Sequence, residues 1–159
     1  MGNFSFGMLL SQKKLLENLA TKKKFVKIWA FNFLIFYFFM KILIAEDDAL
    51  LCKAYKKMFS NATGMPENVF MAKNGKEAIE IIEKESPQLI LLDLMMPEVD
   101  GFGVLEHLNK DGKIDGTTVF VLTNLSNDSD REKAMGLGAT DFIIKSNITT
   151  KMVKNLLPS

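Results

Sequence analysis

Residues 88–101 read QLILLDLMMPEVDG. Gln88–Leu92 is the most apolar run after Met40, and it stops at the carboxylate of Asp93. A run this short, apolar along its whole length, reads as a central strand covered on both faces. Pro97 interrupts the chain after it. Asp100-Gly101 then opens a helix that uses Val104, Leu105 and Leu108 on one face. The unit is therefore a buried strand, a loop and a helix, with an acid at the strand's C-terminal end.

The same unit recurs on either side. Lys41–Ala45 (KILIA) is a strand running into Glu46, Asp47 and Asp48. A helix over Ala49–Ser60 follows, with Leu51, Tyr55 and Met58 at one-face spacing. Asn61–Gly64 and Pro66 break it, and Val69–Ala72 is a short strand. Asn74 with Glu77 three residues on forms an N-terminal cap for a helix packed through Ala78, Ile81 and Ile82.

Downstream, Val119–Leu122 is a fourth strand closed by Thr123. Ser129 with Glu132 repeats the capping pattern and starts a helix that ends at Gly136 and Gly138. Asp141–Ile144 is a fifth strand ending at Lys145, and Thr149–Leu157 is the last helix. Five strand-helix repeats imply an α/β fold, a parallel sheet with helices on both faces. Ligands of such sheets bind beyond the carboxyl ends of the strands. The residues there are Glu46, Asp47, Asp93, Thr123 and Lys145.

These groups have a joint chemistry. Carboxylates held together raise one another's pKa unless a cation relieves them. A hard divalent ion does so, and magnesium favours one or two carboxylates plus waters and phosphate oxygens. Asp93 can then attack phosphorus to give an acyl phosphate. Magnesium and Lys145 would neutralise the equatorial oxygens, and Thr123 would donate its hydroxyl to one of them. Singly, each residue reads more simply, as a helix cap or a solvated charge. The mixture at four strand ends of one sheet is what argues for a site.

Composition bounds the alternatives. Residues 1–39 carry six Lys and one Glu, whereas residues 40–159 carry fourteen Lys or Arg and eighteen Asp or Glu. Ten of the sixteen aromatics lie before Met40. This break divides the chain into an extension, 1–39, and a domain, 40–159. The domain is mildly acidic with a single Arg, Arg131, which argues against a grip on the phosphate backbone of nucleic acid. Cys52 is the only cysteine, so no internal disulfide forms. It is expected as a packed thiol in a reducing cytoplasm.

The extension contains FVKIWAFNFLIFYFF at 25–39, preceded by Lys22, Lys23 and Lys24. Its run without charged residues, Ile28–Met40, includes Asn32 and falls short of the roughly 20 residues a spanning helix needs. No small-residue cleavage site precedes Met40. Three readings remain: translated upstream sequence with Met40 as the true start, a membrane-associated extension, or a docking segment. Membrane contact is expected only if these residues are native.

KILIAEDD, LILLDLMMPEVDG, VFVLTN and GATDFIIKS, in that order, resemble the response regulator receiver domains, above all the single-domain chemotaxis type. The resemblance runs from Met40 to about Leu157. It implies a doubly wound, flavodoxin-like (βα)5 domain with strand order 2-1-3-4-5. It implies Asp93 as phospho-acceptor, Glu46 and Asp47 as the acid pair for Mg2+, and the Met95 carbonyl as a further ligand. Thr123 and Lys145 would sense the phosphoryl group, and Phe142 would be the switch aromatic. The donor would be a histidine kinase or histidine phosphotransferase, because His107 is the only histidine and is expected to be a solvated helix residue.

Four positions depart from the family pattern. Ser146 stands after Lys145, where Pro with a cis bond is common; a cis bond before a non-proline residue costs about 3 kcal/mol. Asn124 takes a position that is commonly small. Met95 and Leu125 are apolar where the family controls water access, which implies slow hydrolysis of the acyl phosphate. The chain stops soon after the fifth helix, so output is expected through the face of the fourth helix, fifth strand and fifth helix, including Met135, Phe142 and Met152. The expected role is a phosphorylatable signalling switch, not a dedicated enzyme. An aspartyl-nucleophile hydrolase would need Asp-x-Asp after its first strand, and a P-loop would need Gly-x-x-x-x-Gly-Lys; both are missing. The rival reading is an interaction module that is never phosphorylated.

Overall fold

The computed structural model describes residues 40–124 and 128–157. The readings made for residues 1–39 and for Leu125 lie outside them. Five parallel strands form one sheet in the order β2-β1-β3-β4-β5. They are β1 (Ile42–Ala45), β2 (Val69–Ala72), β3 (Leu89–Asp93), β4 (Thr118–Thr123) and β5 (Asp141–Ile144). The intervening helices are α1 (Ala49–Thr63), α2 (Gly75–Glu85), α3 (Gly101–Lys110), α4 (Asp128–Gly136) and α5 (Thr150–Leu156). This is the expected flavodoxin-like topology, and β1 and β3 sit at its centre.

Both central strands are buried at every position. Alternation sorts their side chains between two layers. Leu43, Ile90, Leu92, Val119 and Val121 join Ala78, Ile82, Val104, Leu105 and Ala134 from α2, α3 and α4 in one core. The opposite parity, with Ile42, Ile44, Leu89 and Leu91, faces α1, which packs beside α5. Registry is continuous across the centre. Ala45 pairs with both Ala72 and Leu92, and Asp93 pairs with Leu122. The strand ends that carry the chemistry are thereby brought level.

Element boundaries follow local chemistry. Asp48 caps α1 by accepting from the amides of Leu50 and Leu51, at 2.8 and 3.1 Å. The helix runs to Thr63, three residues past the expected Ser60, and stops at Gly64 with φ +71°. Its buried stripe is Cys52, Tyr55 and Phe59. The sequence reading had chosen Leu51, Tyr55 and Met58, and the stripe is offset because the larger Phe59 fills the core. Asn74 Oδ1 accepts from the Glu77 amide at 2.7 Å, as expected. Ser129, expected to cap α4, lies one residue inside the helix, which begins at Asp128. The peptide bonds of the described residues are trans, Lys145-Ser146 included, and Lys145–Asn147 forms a short 3-10 turn. No described helix is long and apolar enough to cross a membrane.

Candidate functional site

At the end of β1 the Glu46 amide donates to the Ala72 carbonyl at 3.0 Å, extending the pairing with β2 by one residue. That bond holds the Glu46 side chain inward, 1% exposed. Asp47 is exposed, and Asp48 is committed to capping α1. Asp93, on the last residue of β3, is 3% exposed. Glu46, Asp47 and Asp93 each place a carboxylate oxygen within 4.8 Å of the other two. The three acids expected to share a cation therefore converge.

Lys145 reaches into the same place from the turn just past β5. Its Nζ donates to Asp93 Oδ2 at 2.7 Å and to Glu46 Oε1 at 3.0 Å. Glu46 Oε2 is also near, at 2.9 Å, but off the hydrogen-bonding direction, and it has no donor among the described residues. The Met95 amide donates to Asp93 Oδ1 at 3.2 Å, so both oxygens of Asp93 are held. Thr123 closes β4 one residue beyond the partner of Asp93 and is half-buried. The predicted acids, lysine and hydroxyl thus share one end of the sheet.

Burial raises the pKa of Glu46, and its bond to Lys145 offsets only part of that rise. Burial lowers the Lys145 ammonium, but the hydrogen bonds and charges of Asp93 and Glu46 outweigh it, leaving a net rise. Two buried carboxylates face one ammonium, so the pocket carries an excess negative charge. An all-oxygen donor set, a buried carboxylate oxygen without a donor and uncompensated charge together suit a hard divalent cation such as magnesium.

The loop after β3 is tightly packed. A Cβ on Gly101 would stand 2.4 Å from the Asp93 carbonyl oxygen, and one on Gly75 would stand 2.2 Å from that of Val99. Gly75 donates to the Val99 carbonyl at 3.0 Å, and Asn74 Nδ2 donates to Glu98 Oε1 at 2.7 Å. Glu98 takes a left-handed backbone, φ +65°. The N-terminus of α2 therefore braces the loop that carries Met95, an arrangement sequence reasoning missed. The Asp-Gly and Asn-Gly pairs at the helix starts were its only signal. The Met95 side chain projects into solvent, 81% exposed.

A family model described as the response regulator receiver domain matches residues 42–157. The chain belongs to the response regulator receiver domain family. This receiver domain is 38% identical over 105 residues to the probable transcriptional regulator ycf27 of Porphyridium aerugineum, covering 66% of the chain and 41% of that relative. The ycf27 protein of Guillardia theta is 33% identical over 105 residues, with 66% and 39% covered. The chain thus spans about two-fifths of the length of these curated relatives. Among solved structures, the signal receiver domain of a signal transduction histidine kinase from Syntrophus aciditrophicus superposes with a TM-score of 0.62 at 30% identity, with 74% of this chain and 89% of that one covered. The receiver domain of the Francisella response regulator 1452 gives 0.57 at 27%, with 73% and 91% covered.

Elsewhere in the receiver domain, Phe142 is buried in the core beneath Arg131, whose guanidinium carbon lies 6.0 Å from the ring centre. Arg131 also pairs with Asp141 at 3.4 Å. With Met152 these residues line a cleft of about 250 Å³ between α4, β5 and α5. Met135, expected on the same face, is 39% exposed on α4. Cys52 is buried as expected, and burial, aided by the Glu46 charge, pushes its thiol up to about 11.

His107 corrects its sequence reading. It is half-buried, with Nε2 2.8 Å from Glu83 Oε1 and 3.6 Å from Asp111 Oδ2, joining α2 to α3. These three residues have the spacing of a cation site. The Lys113 ammonium already contacts Glu83 and lies 3.7 Å from Asp111, so the cluster supplies its own cation and reads as an interhelical clasp.

Proposed function

We propose that this domain is a phosphoryl-accepting switch of two-component signalling, with Asp93 as the acceptor. The observation that carries the reading is the convergence of Asp93, Glu46 and Asp47 within 4.8 Å, with Lys145 2.7 Å from Asp93. Glu46, Asp47 and Asp93, with the Met95 carbonyl, would hold magnesium. When bound, the ion would neutralise charge on the transferred phosphoryl oxygens and lower the repulsion met by an incoming anion.

The chain's own groups divide the remaining work. The donor is a phosphohistidine on a separate histidine kinase or histidine phosphotransferase. An Asp93 carboxylate oxygen forms the new O–P bond as the P–N bond to the donor imidazole breaks, and that imidazole takes a proton from water. The Met95 amide and the Lys145 ammonium hold the Asp93 carboxylate in one orientation before transfer. Afterwards Lys145 keeps an ion pair with a phosphoryl oxygen, and Thr123 turns to donate its hydroxyl to another. The shift of Thr123 lets Phe142, already buried here, repack beside it, which reshapes the face of α4, β5 and α5 that binds the downstream protein. α4 suits such a role, since Ala134 is its one buried residue. The domain assists its own phosphorylation and dephosphorylation without being a dedicated enzyme. Residues 40–159 are taken as the working unit, in a cytoplasmic setting, and 1–39 as an extension to it.

Incubation of wild type and Asp93→Asn with acetyl phosphate, with and without magnesium, tests the proposal by intact mass. One phosphoryl group is expected on wild type, only with the ion, and none on the variant. Failure of wild type to gain mass favours the unphosphorylated interaction module.

A further inference from the structure

The lysines of the domain are unevenly placed. Helix α1 carries Lys53, Lys56 and Lys57, α5 carries Lys151 and Lys154, and neither helix contains an acidic residue. The rest of residues 40–159 holds nine basic and eighteen acidic residues. The two helices pack side by side on one layer of the sheet. Their buried residues are Cys52, Tyr55 and Phe59 in α1 and Val153 in α5. The lysines stand off those stripes, and all but the half-buried Lys56 are exposed. None of the five is ion-paired with an acid among the described residues. The other layer differs in sign, since α2 alone carries Glu77, Glu80, Glu83 and Glu85 against two lysines.

A surface of one sign attracts partners of the other. Protein interfaces draw on Tyr, Trp, Phe and Arg and are poor in Lys. The outward side of α1 and α5 offers no aromatic residue and no Arg. Readers of duplex DNA send a helix or strand into a groove, whereas α1 and α5 both lie along the sheet. An anionic bilayer asks only for several lysines held on one side, within a Debye length of its headgroups. Leu50 strengthens this match. It is 78% exposed and stands three residues before Lys53 and seven before Lys57, so it shares their side of α1. Lysines with an apolar side chain among them suit the headgroup boundary.

We infer that the outer side of the α1–α5 layer is a docking surface for a membrane containing anionic phospholipid, with Lys53, Lys57, Lys151 and Lys154 as its contact charges. The inference goes beyond the proposed function and does not depend on phosphorylation of Asp93. The acidic pocket lies at the carboxyl ends of the strands and not on the outside of this layer, so a docked domain leaves Asp93 within reach of a donor. The attraction is between exposed charges, and rising salt weakens it steeply.

Co-sedimentation of the full chain with vesicles of about one-third phosphatidylglycerol in phosphatidylcholine, and with phosphatidylcholine alone, measures the binding. One variant combines Lys53→Gln, Lys57→Gln, Lys151→Gln and Lys154→Gln. A second combines Lys73→Gln, Lys76→Gln, Lys84→Gln and Lys110→Gln, removing the same charge elsewhere. All eight lysines are exposed, so both variants are expected to fold, which circular dichroism checks. Wild type is expected to sediment with the anionic vesicles only. The first variant is expected to bind about tenfold or more weakly, and the second within about twofold of wild type. Equal binding by the first variant and wild type overturns the inference and assigns vesicle binding to residues 1–39. Equal losses in both variants overturn it as an effect of net charge. Absence of vesicle binding by wild type overturns it outright. Polyglutamate or a DNA duplex bound instead through the same four lysines would assign the surface to an acidic protein or to nucleic acid.

Discussion

Lys145 Nζ and Asp93 Oδ2 meet at 2.7 Å, although the two residues stand 52 positions apart, one just past the end of β5 and the other at the end of β3. Both side chains are nearly sealed from solvent, at 8% and 4% exposed. The ammonium also serves Glu46, so it is the only cation seen between two buried acids among the described residues. Lys145→Met leaves those carboxylates facing each other. The expected cost is about 3–5 kcal/mol of ion-free stability. Millimolar magnesium is expected to restore part of it, because an ion that binds only the native state stabilises by mass action. Urea unfolding with and without the ion measures both effects.

Glu46 gives a pH signature. Burial lifts its pKa above the ordinary carboxylate range, with only partial relief from Lys145. Between the unfolded and folded values the native state holds a proton that the unfolded chain has lost. Stability contributed by this group is therefore present at low pH and falls as pH rises from about 4 through the folded value. Glu46→Gln removes that loss. Without metal the variant is expected to be more stable than wild type at pH 7, with the gap closing below about pH 4. With magnesium the order at pH 7 reverses, since the variant has lost a ligand.

Gly101 is expected to be intolerant of any side chain. A Cβ there meets the Asp93 carbonyl oxygen at 2.4 Å and the Leu94 Cα at 2.8 Å, both backbone atoms that cannot swing aside. Gly101→Ala should cost about 1–3 kcal/mol by overpacking. It should also slow phosphorylation from acetyl phosphate by displacing the end of β3. Denaturation midpoints and initial rates of mass gain check the two parts separately.

The Met95 side chain stands in solvent beside Asp93, anchored by its own amide on that carboxylate. An apolar group there offers an attacking water no hydrogen bond. Met95→Asn is expected to shorten the acyl-phosphate lifetime severalfold, read from the decay of phosphorylated protein after donor removal. Equal lifetimes would remove Met95 from any role in water access.

Much of this site was legible in the sequence because a parallel sheet levels its strand ends. With KILIA and QLILL read as buried strands of one parallel sheet, and set side by side by the family resemblance, Glu46, Asp47 and Asp93 fall at one edge, where Lys145 after DFII joins them. The helix stripe of α1 was misread because Leu51 and Met58 match the apolar period as well as Cys52 and Phe59 do; only packing against the sheet separates them. The clasp of His107 with Glu83, Asp111 and Lys113 was out of reach for a related reason. Its partners come from two helices whose relative rotation is set by the core between them. Bracing of the Met95 loop by Asn74 and Gly75 depended on backbone approach that no residue type encodes alone.

The most direct test locates the phosphorylated bond itself. Protein treated with acetyl phosphate and magnesium is reduced with borohydride, which converts an aspartyl phosphate to homoserine, and its peptides are sequenced by tandem mass spectrometry. Homoserine at position 93, lost when magnesium is chelated, is the predicted result. Reduction at Asp47 or another carboxylate with Asp93 unchanged would contradict the assignment of Asp93 as acceptor.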